Sequence, residues 1–508
     1  MTTAQSPRAR RTSPKRRDVI PAQATPVTTD PWPDLPPAAN VKPKAAAPAP
    51  QPVSASQVPP PYSHTYPVHT AIRASPLSKE SPEQNYRGFF NLAMLLLAVS
   101  NLRLVIENHR KYGFIISMPL TGIRQADAEW AVVSYAWQMA MMLAVLGVEK
   151  YASGGRPPAK RNERLIAVLY TVCTALLISV PTVICWYRIW NPAFSAATLF
   201  GATILSLKVI SYALVNADYR RGNLMSPLFR QISDPDGAGP SEADVAAAVP
   251  GMEAISYPDN VTLGNLAYFM FCPTLCYQLS FPRTTRFRKT FFAKRLLEFC
   301  LGTAAIYLLG GQYAAPTLRN SIVALDNLDF PHLFERLLKL SIVSVVIWLL
   351  MFYSVFHAGM NMIAEVLRFG DRRFYAEWWN AKDVSEYWRL WNTPVHMWGK
   401  RHLYMPLIAY GVRPGLAAVA VFTVSAVLHE LLIGVPTHCL NGWAFGGMMA
   451  QMPLILQGRA LGALRRRNEK LFDTVGNLFF WVSFTIVGQP AAILVYYSHW
   501  FKTRGSGG

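Results

Sequence analysis

Apolar and polar residues are segregated along this chain over stretches much longer than a helix turn. No apolar run occurs before residue 89. Beyond it, long apolar runs alternate with polar, basic connections, placing spans near 89–106, 128–148, 165–186, 194–215, 297–318, 339–363, 415–437, 443–457 and 471–498. Most reach the roughly 20 residues a helix needs to cross a bilayer; the eighth is short. A further apolar stretch, 262–281, is broken by Pro273 and contains Gln278. It reads as a helix lying at the interface or packed inside the protein. The pattern predicts an all-α polytopic membrane protein of about nine transmembrane helices plus cytosolic amphipathic helices.

Composition sharpens this picture. Of 508 residues, 52% are hydrophobic and 15% charged, where soluble domains carry about a quarter charged. A soluble nucleotide-binding enzyme and a secreted disulfide scaffold are excluded. Cys173, Cys185, Cys272, Cys276, Cys300 and Cys439 lie mostly in apolar stretches with no paired CxxC motifs. Buried thiols are expected, and no metal site. Residues 1–85 hold 18 of the 38 prolines and read as a disordered, basic, cytosolic tail. Its basic run from Arg8 to Arg17 suits either contact with anionic lipid or acyl-CoA, or plain solvation. The expected organisation is this tail, a membrane-embedded domain over 86–501 and a short end at 502–508.

Net charge, 49 − 29 = +20, matters by its placement. The segments 149–164, 216–296 and 364–414 and the turn at Arg465, Arg466 and Arg467 are basic, whereas 187–193 and 438–442 are nearly bare. The positive-inside rule puts the N-terminus and the basic loops in the cytosol and the C-terminus on the far side. The segment 107–127, with Arg110, Lys111 and Arg124, runs against that pattern.

Polar residues inside apolar runs are expensive and point to chemistry or to internal pairing. In the first run, Arg103, Glu107 and Lys111 stand four apart, as structural ion pairs or as lining groups. In the seventh, His429 and Glu430 sit amid apolar neighbours, with Ser425 one turn before the histidine. Histidine titrates nearest working pH and suits a general base; the plainer reading is a core histidine between helices. Glu430 beside it and the motif upstream favour catalysis. That motif, FYAEWWN at 374–380 followed by YWRLWNTPVH at 387–396, puts four tryptophans into 14 residues. It reads as amphipathic helices at the cytosolic face, either a platform for an amphipathic, negatively charged substrate or a membrane-interface belt.

These residues resemble the membrane-bound O-acyltransferase family, and within it the acyl-CoA:diacylglycerol acyltransferases of type 1. Phe374, Tyr375, Glu377, Trp378, Trp379 and Asn380 match an FYxDWWN motif, with Glu377 in place of Asp. Asn392 and His429 match an asparagine–histidine catalytic pair. Further likeness runs through NYRG at 85–88, YPDNVT at 257–262, PTLCYQ at 273–278, PRT at 282–284 and GQP at 488–490, within about 73–501. The resemblance implies transfer of a fatty acyl group from acyl-CoA to diacylglycerol, with His429 as base and Asn392 near the thioester. It implies that Ser425, Glu430, Gln451 and Gln489 line the reaction chamber. Trp391, His396, Arg401, His402 and Tyr404 would lie near the CoA entrance, where Met405 replaces a lysine of some relatives. Acyl-CoA is then a substrate, and no cofactor or metal is called for. Membrane lipids are partners and nucleic acid is not. A homodimer or homotetramer in the endoplasmic reticulum membrane is implied. A sterol acyltransferase of the same chemistry remains an alternative, as does a transporter using His429 and Glu430 as a proton relay, although no internal repeat is evident.

Overall fold

The computed structural model describes residues 64–65, 67–78, 81, 85–93, 95, 96, 99, 124–154, 160–222, 252, 255–310, 314–465 and 469–505. The tail before 64, the Arg103–Glu107–Lys111 group and Arg466 lie outside the described residues. Within them the chain is helical, with two isolated bridges, Arg73 to Asp371 and Arg283 to Phe369. Six described helices are long and apolar enough to cross a membrane: Gln125–Ser153, Glu163–Tyr187, Pro192–Arg221, Phe330–Val366, Pro414–Thr437 and Leu471–Lys502.

The predicted nine spans are corrected in one place, the eighth. The 297–318 run covers parts of the helices Lys289–Leu309 and Ala315–Asp326, with residues 311–313 between them outside the described residues. The short 443–457 run folds as two pieces, Trp443–Met449 and Gln451–Arg465. Gly446 and Gly447 weaken its first half, and 15 residues cannot cross a bilayer as one helix. Most of 89–106 lies outside the described residues. The 262–281 stretch folds as the helix Leu263–Phe271, capped by the Thr262 side chain, which accepts from the Asn265 N–H. Cys272 leaves helical geometry, as the residue before a proline prefers. Thr274 to Leu279 are then buried inside the protein.

Local rules fix the helix around which the site is built. Pro192–Arg221 starts on Asn191, whose side chain accepts from Ala193 and Phe194 N–H, with proline at its first position. It ends at Gly222 in the left-handed region, φ 64°. Its buried polar residues, among them Ser195, Thr198, Ser211 and Asn216, face protein and not lipid. Lys208 Nζ donates to the carbonyls of Phe269, Met270 and Cys272 at 2.9, 2.8 and 2.6 Å. These lie at the carbonyl-rich end of the Leu263–Phe271 helix, where a cation is favoured.

The aromatic-rich segment also needs correction. Phe374, Tyr375, Trp378 and Trp379 are fully buried, so they form neither an interface belt nor an exposed platform. Trp348 stacks on Trp391 at 4.4 Å, and Trp378 meets Trp391 edge-on at 5.1 Å. Each such pair adds about 0.5–1.5 kcal/mol beyond its buried area. The segment turns through Trp378–Asn380 and continues as the short helices Val384–Trp391 and Thr393–Gly399.

The boundary of the tail moves as well. Residues 64–78, assigned to disorder by composition, strap the body. Gln278 Oε1 accepts the His69 N–H at 2.7 Å and the Val68 N–H at 3.3 Å. His69 bridges Asp371 Oδ2 at 2.9 Å and Thr274 Oγ1 at 2.6 Å. Arg372 N–H donates to the Arg73 carbonyl at 2.9 Å.

Candidate active site

His429 lies midway along the Pro414–Thr437 helix, which packs against Pro192–Arg221 and Trp443–Met449. Ala417, Ala418, Ala426 and Gly434 are buried along it, and such small residues let helix backbones approach closely. His429 Nδ1 is 2.8 Å from the Ser425 carbonyl oxygen and 3.4 Å from the Ser425 hydroxyl. A carbonyl only accepts, so Nδ1 carries the proton. Nε2 is left with its lone pair.

The histidine opens onto a cavity of about 250 Å³. Its walls also include Ser425, Trp388, Arg389, Trp391, Asn392 and His396, closed by apolar residues such as Ile204, Leu207, Phe422 and Met448. The lining is apolar with a few convergent polar groups, the character of a substrate site. Asn392 is the cap of the Thr393–Gly399 helix, and its side chain accepts the Val395 N–H at 3.2 Å. Accepting that bond commits Oδ1 and leaves Nδ2, a pure donor. Hydrogen bonds from the aromatic motif hold both flanks of this position: Ala376 N–H to the Leu390 carbonyl, 2.8 Å, and Thr393 N–H to the Phe374 carbonyl, 3.0 Å. The buried motif thus fixes the turn that presents Asn392.

Five of the residues assigned from sequence meet in this cavity: His429, Asn392, Ser425, Trp391 and His396. Others lie elsewhere. The Glu430 carboxylate accepts from Gly442, Ala444 and Phe445 N–H at 2.9, 3.0 and 3.1 Å and from the Tyr496 hydroxyl at 3.0 Å. It caps Trp443–Met449 and is absent from the cavity wall. Gln451 Nε2 donates to the Gly447 carbonyl at 3.2 Å. Gln489 follows the wide π-helical turn Val482–Gly488, and its Oε1 is buried without a hydrogen-bond partner among the described residues. Neither glutamine lines the cavity.

Arg401, His402 and Tyr404, expected at a CoA entrance, are buried on the π-helical turn Lys400–Tyr404. Arg401 donates to the Tyr277 carbonyl at 2.8 Å. His402 contacts His64 Nδ1 at 3.0 Å and Ser211 Oγ at 2.8 Å. Burial, with His64 and Arg401 beside it, holds His402 well below the usual imidazole range. Burial likewise brings His64 down to about 3. In the motif, Asn380 Nδ2 donates to Glu377 at 2.8 Å and to the Asn85 carbonyl at 3.0 Å.

Sequence reasoning gave Arg389 no role, yet it is the arginine of the cavity wall. It lies one helical turn before Asn392, a spacing legible in the sequence. The wall supplied by Phe200, Thr203, Ile204 and Leu207 had no such signal, because it comes from a helix about 200 residues away in the chain.

The profile of the membrane-bound O-acyltransferase family matches residues 249–498. Diacylglycerol O-acyltransferase 1A of Glycine max is 36% identical over 447 residues, covering 87% of this chain and 84% of that protein. Diacylglycerol O-acyltransferase 1 of Arabidopsis thaliana is 36% identical, covering 88% of this chain and 79% of its own length. The Homo sapiens protein of that name is 36% identical, covering 84% and 82%. With that extent of likeness over most of its length, this chain, whose half-buried His429 and capped Asn392 meet in one apolar cavity, belongs to the membrane-bound O-acyltransferase family.

Proposed function

We propose that this chain transfers the fatty acyl group of acyl-CoA to the free hydroxyl of diacylglycerol, forming triacylglycerol. The observation that carries the mechanism is the His429–Ser425 hydrogen bond, which leaves an unprotonated Nε2 in a cavity shared with Asn392. Nε2 takes the hydroxyl proton as the alcohol oxygen bonds to the thioester carbon. The carbonyl oxygen gains negative charge, and the Asn392 Nδ2–H group stabilises it. The tetrahedral intermediate collapses, the carbon–sulfur bond breaks, and His429 returns its proton to the CoA thiolate. Transfer is direct, and the reaction calls for no cofactor or metal.

The diacylglycerol acceptor is supported by the relatives named above, all called diacylglycerol O-acyltransferases. A proton relay between His429 and Glu430 is disfavoured, since the glutamate is engaged by four donors away from the cavity. We place the enzyme in the endoplasmic reticulum membrane as a homo-oligomer with its N-terminus cytosolic. The test is an assay of membranes containing the protein, with labelled oleoyl-CoA and a panel of alcohols. Triacylglycerol from diacylglycerol is expected, with little sterol ester. A faster rate with sterol would reassign the acceptor and leave the acyl-transfer chemistry standing.

A further inference from the structure

A second cavity, of about 700 Å³, lies apart from the reaction site and shares no residue with it. Three segments and Ser81 build it, the segments being the strap, the loop 284–288, and 370–377. Its wall carries Arg73, Arg286, Arg288, Arg372 and Arg373 against a single carboxylate, Glu377. That carboxylate is already engaged by Asn380 Nδ2. Two of the arginines are oriented from behind. Buried Glu365 accepts from Arg288 Nη2 at 3.1 Å and from Arg372 Nη2 at 2.5 Å. Arg286 and Arg373 are exposed, and neither has an ion-pair partner among the described residues. Thr284 and Thr285 add hydroxyls to the same wall.

Glu365 pairs with Arg288 and Arg372, and Asp371 Oδ2 lies 3.8 Å from Arg73 Nη1, so the cationic excess of this concave wall rests on Arg286 and Arg373, whose planar guanidinium forks match phosphate oxygens. The candidate span Phe330–Val366 ends four residues before Gly370, and polar headgroups lie where a span leaves the hydrocarbon. We propose that this cavity binds a phosphate monoester, as a lipid headgroup or as a soluble organic phosphate. The inference does not depend on the acyl acceptor. The bound group would bridge the strap to the segment whose Phe374 and Ala376 backbone holds Asn392.

The test uses the purified full chain in a neutral detergent without acyl-CoA. Three probes are titrated against it: dihexanoyl phosphatidic acid, sn-glycerol 3-phosphate and dihexanoyl phosphatidylcholine. The reference variant carries Arg286→Gln and Arg373→Gln, both on exposed side chains. Its ligand-free thermal midpoint and gel-filtration profile establish that it is folded, and Arg286→Gln alone serves if the pair lowers that midpoint. Saturable binding of phosphatidic acid that weakens about tenfold or more in the variant, and weakens with salt, supports a lipid headgroup. The same loss with glycerol 3-phosphate supports a soluble phosphate. Equal affinities in wild type and variant, or no binding of either monoester, would overturn the proposal.

Discussion

His429 and Asn392 reach one cavity by different local devices, and each device suggests a substitution. The helix carbonyl one turn back sets the histidine tautomer. His429→Ala removes the base, and turnover should fall about 10²–10⁴-fold while insertion and thermal midpoint hold. A folded mutant keeping more than about a tenth of the rate would give the role to another group, with His396 the nearest rival. Asn392 combines two tasks, capping a helix and donating an amide proton. Asn392→Asp keeps a capping acceptor but loses the donor and sets a carboxylate beside the developing oxyanion. It should keep the wild-type thermal midpoint and lose about 10²–10³ in kcat. Asn392→Ala should lose both, with a further loss of about 1 kcal/mol of cap stability. Equal stability of the two variants would argue against the cap.

At the scale of elements, the short helices Val384–Trp391, Thr393–Gly399 and Trp443–Met449 are held by tertiary contacts. Their lengths of seven or eight residues are too short for stability on their own. Glu430→Ala would strip four donors from Trp443–Met449 and its neighbour Tyr496. Gly442 and Phe445 are exposed and can turn to solvent, and Ala444 N–H keeps the Tyr496 hydroxyl at 2.7 Å, so each lost bond costs about 1 kcal/mol. The expected result is a lower thermal midpoint with residual turnover per folded molecule well above that of His429→Ala; equal inactivity of folded protein would restore Glu430 to the chemistry. The sequence pointed to His429 and Glu430 together because both are polar in an apolar run. Adjacent positions on a helix lie about 100° apart, so one faces the cavity and the other the next helix.

At the scale of the molecule, the strap joins the N-terminal segment to elements far along the chain. Deleting 1–63 should leave the thermal midpoint unchanged. Deleting 1–78 should lower it, by removing the bonds to Gln278, Thr274 and Asp371; identical midpoints would show that the strap contributes nothing. The strap also contributes to pH dependence. His64 and His402 pack together near Arg401, with the His64 N–H on Asp218. Both histidines have depressed folded pKa values, to about 3 for His64, and the unfolded chain takes up their protons first. Their contribution is therefore intact above the ordinary imidazole value of about 6.5 and is lost as pH falls below it. His402→Gln should flatten the fall in thermal midpoint between pH 7 and 5, and an unchanged slope would count against this.

Membrane residence, helical class and the His429 and Asn392 positions were legible in the sequence because they follow from local facts: runs of apolar residues, a polar group in the wrong solvent, and a matching motif. The chain also showed Pro273 breaking the 262–281 stretch. It did not show that Trp378 and Trp379 are core, because an indole suits an interface and an interior equally well by composition. Nor did it show that Arg401 and Tyr404 are buried or that residues 64–78 are ordered. Burial and strap docking depend on partners such as Gln278, Ser211 and Tyr277, more than a hundred residues away. Only the folded chain decides which polar group meets which donor, and so which of the expensive residues perform chemistry and which hold the others in place.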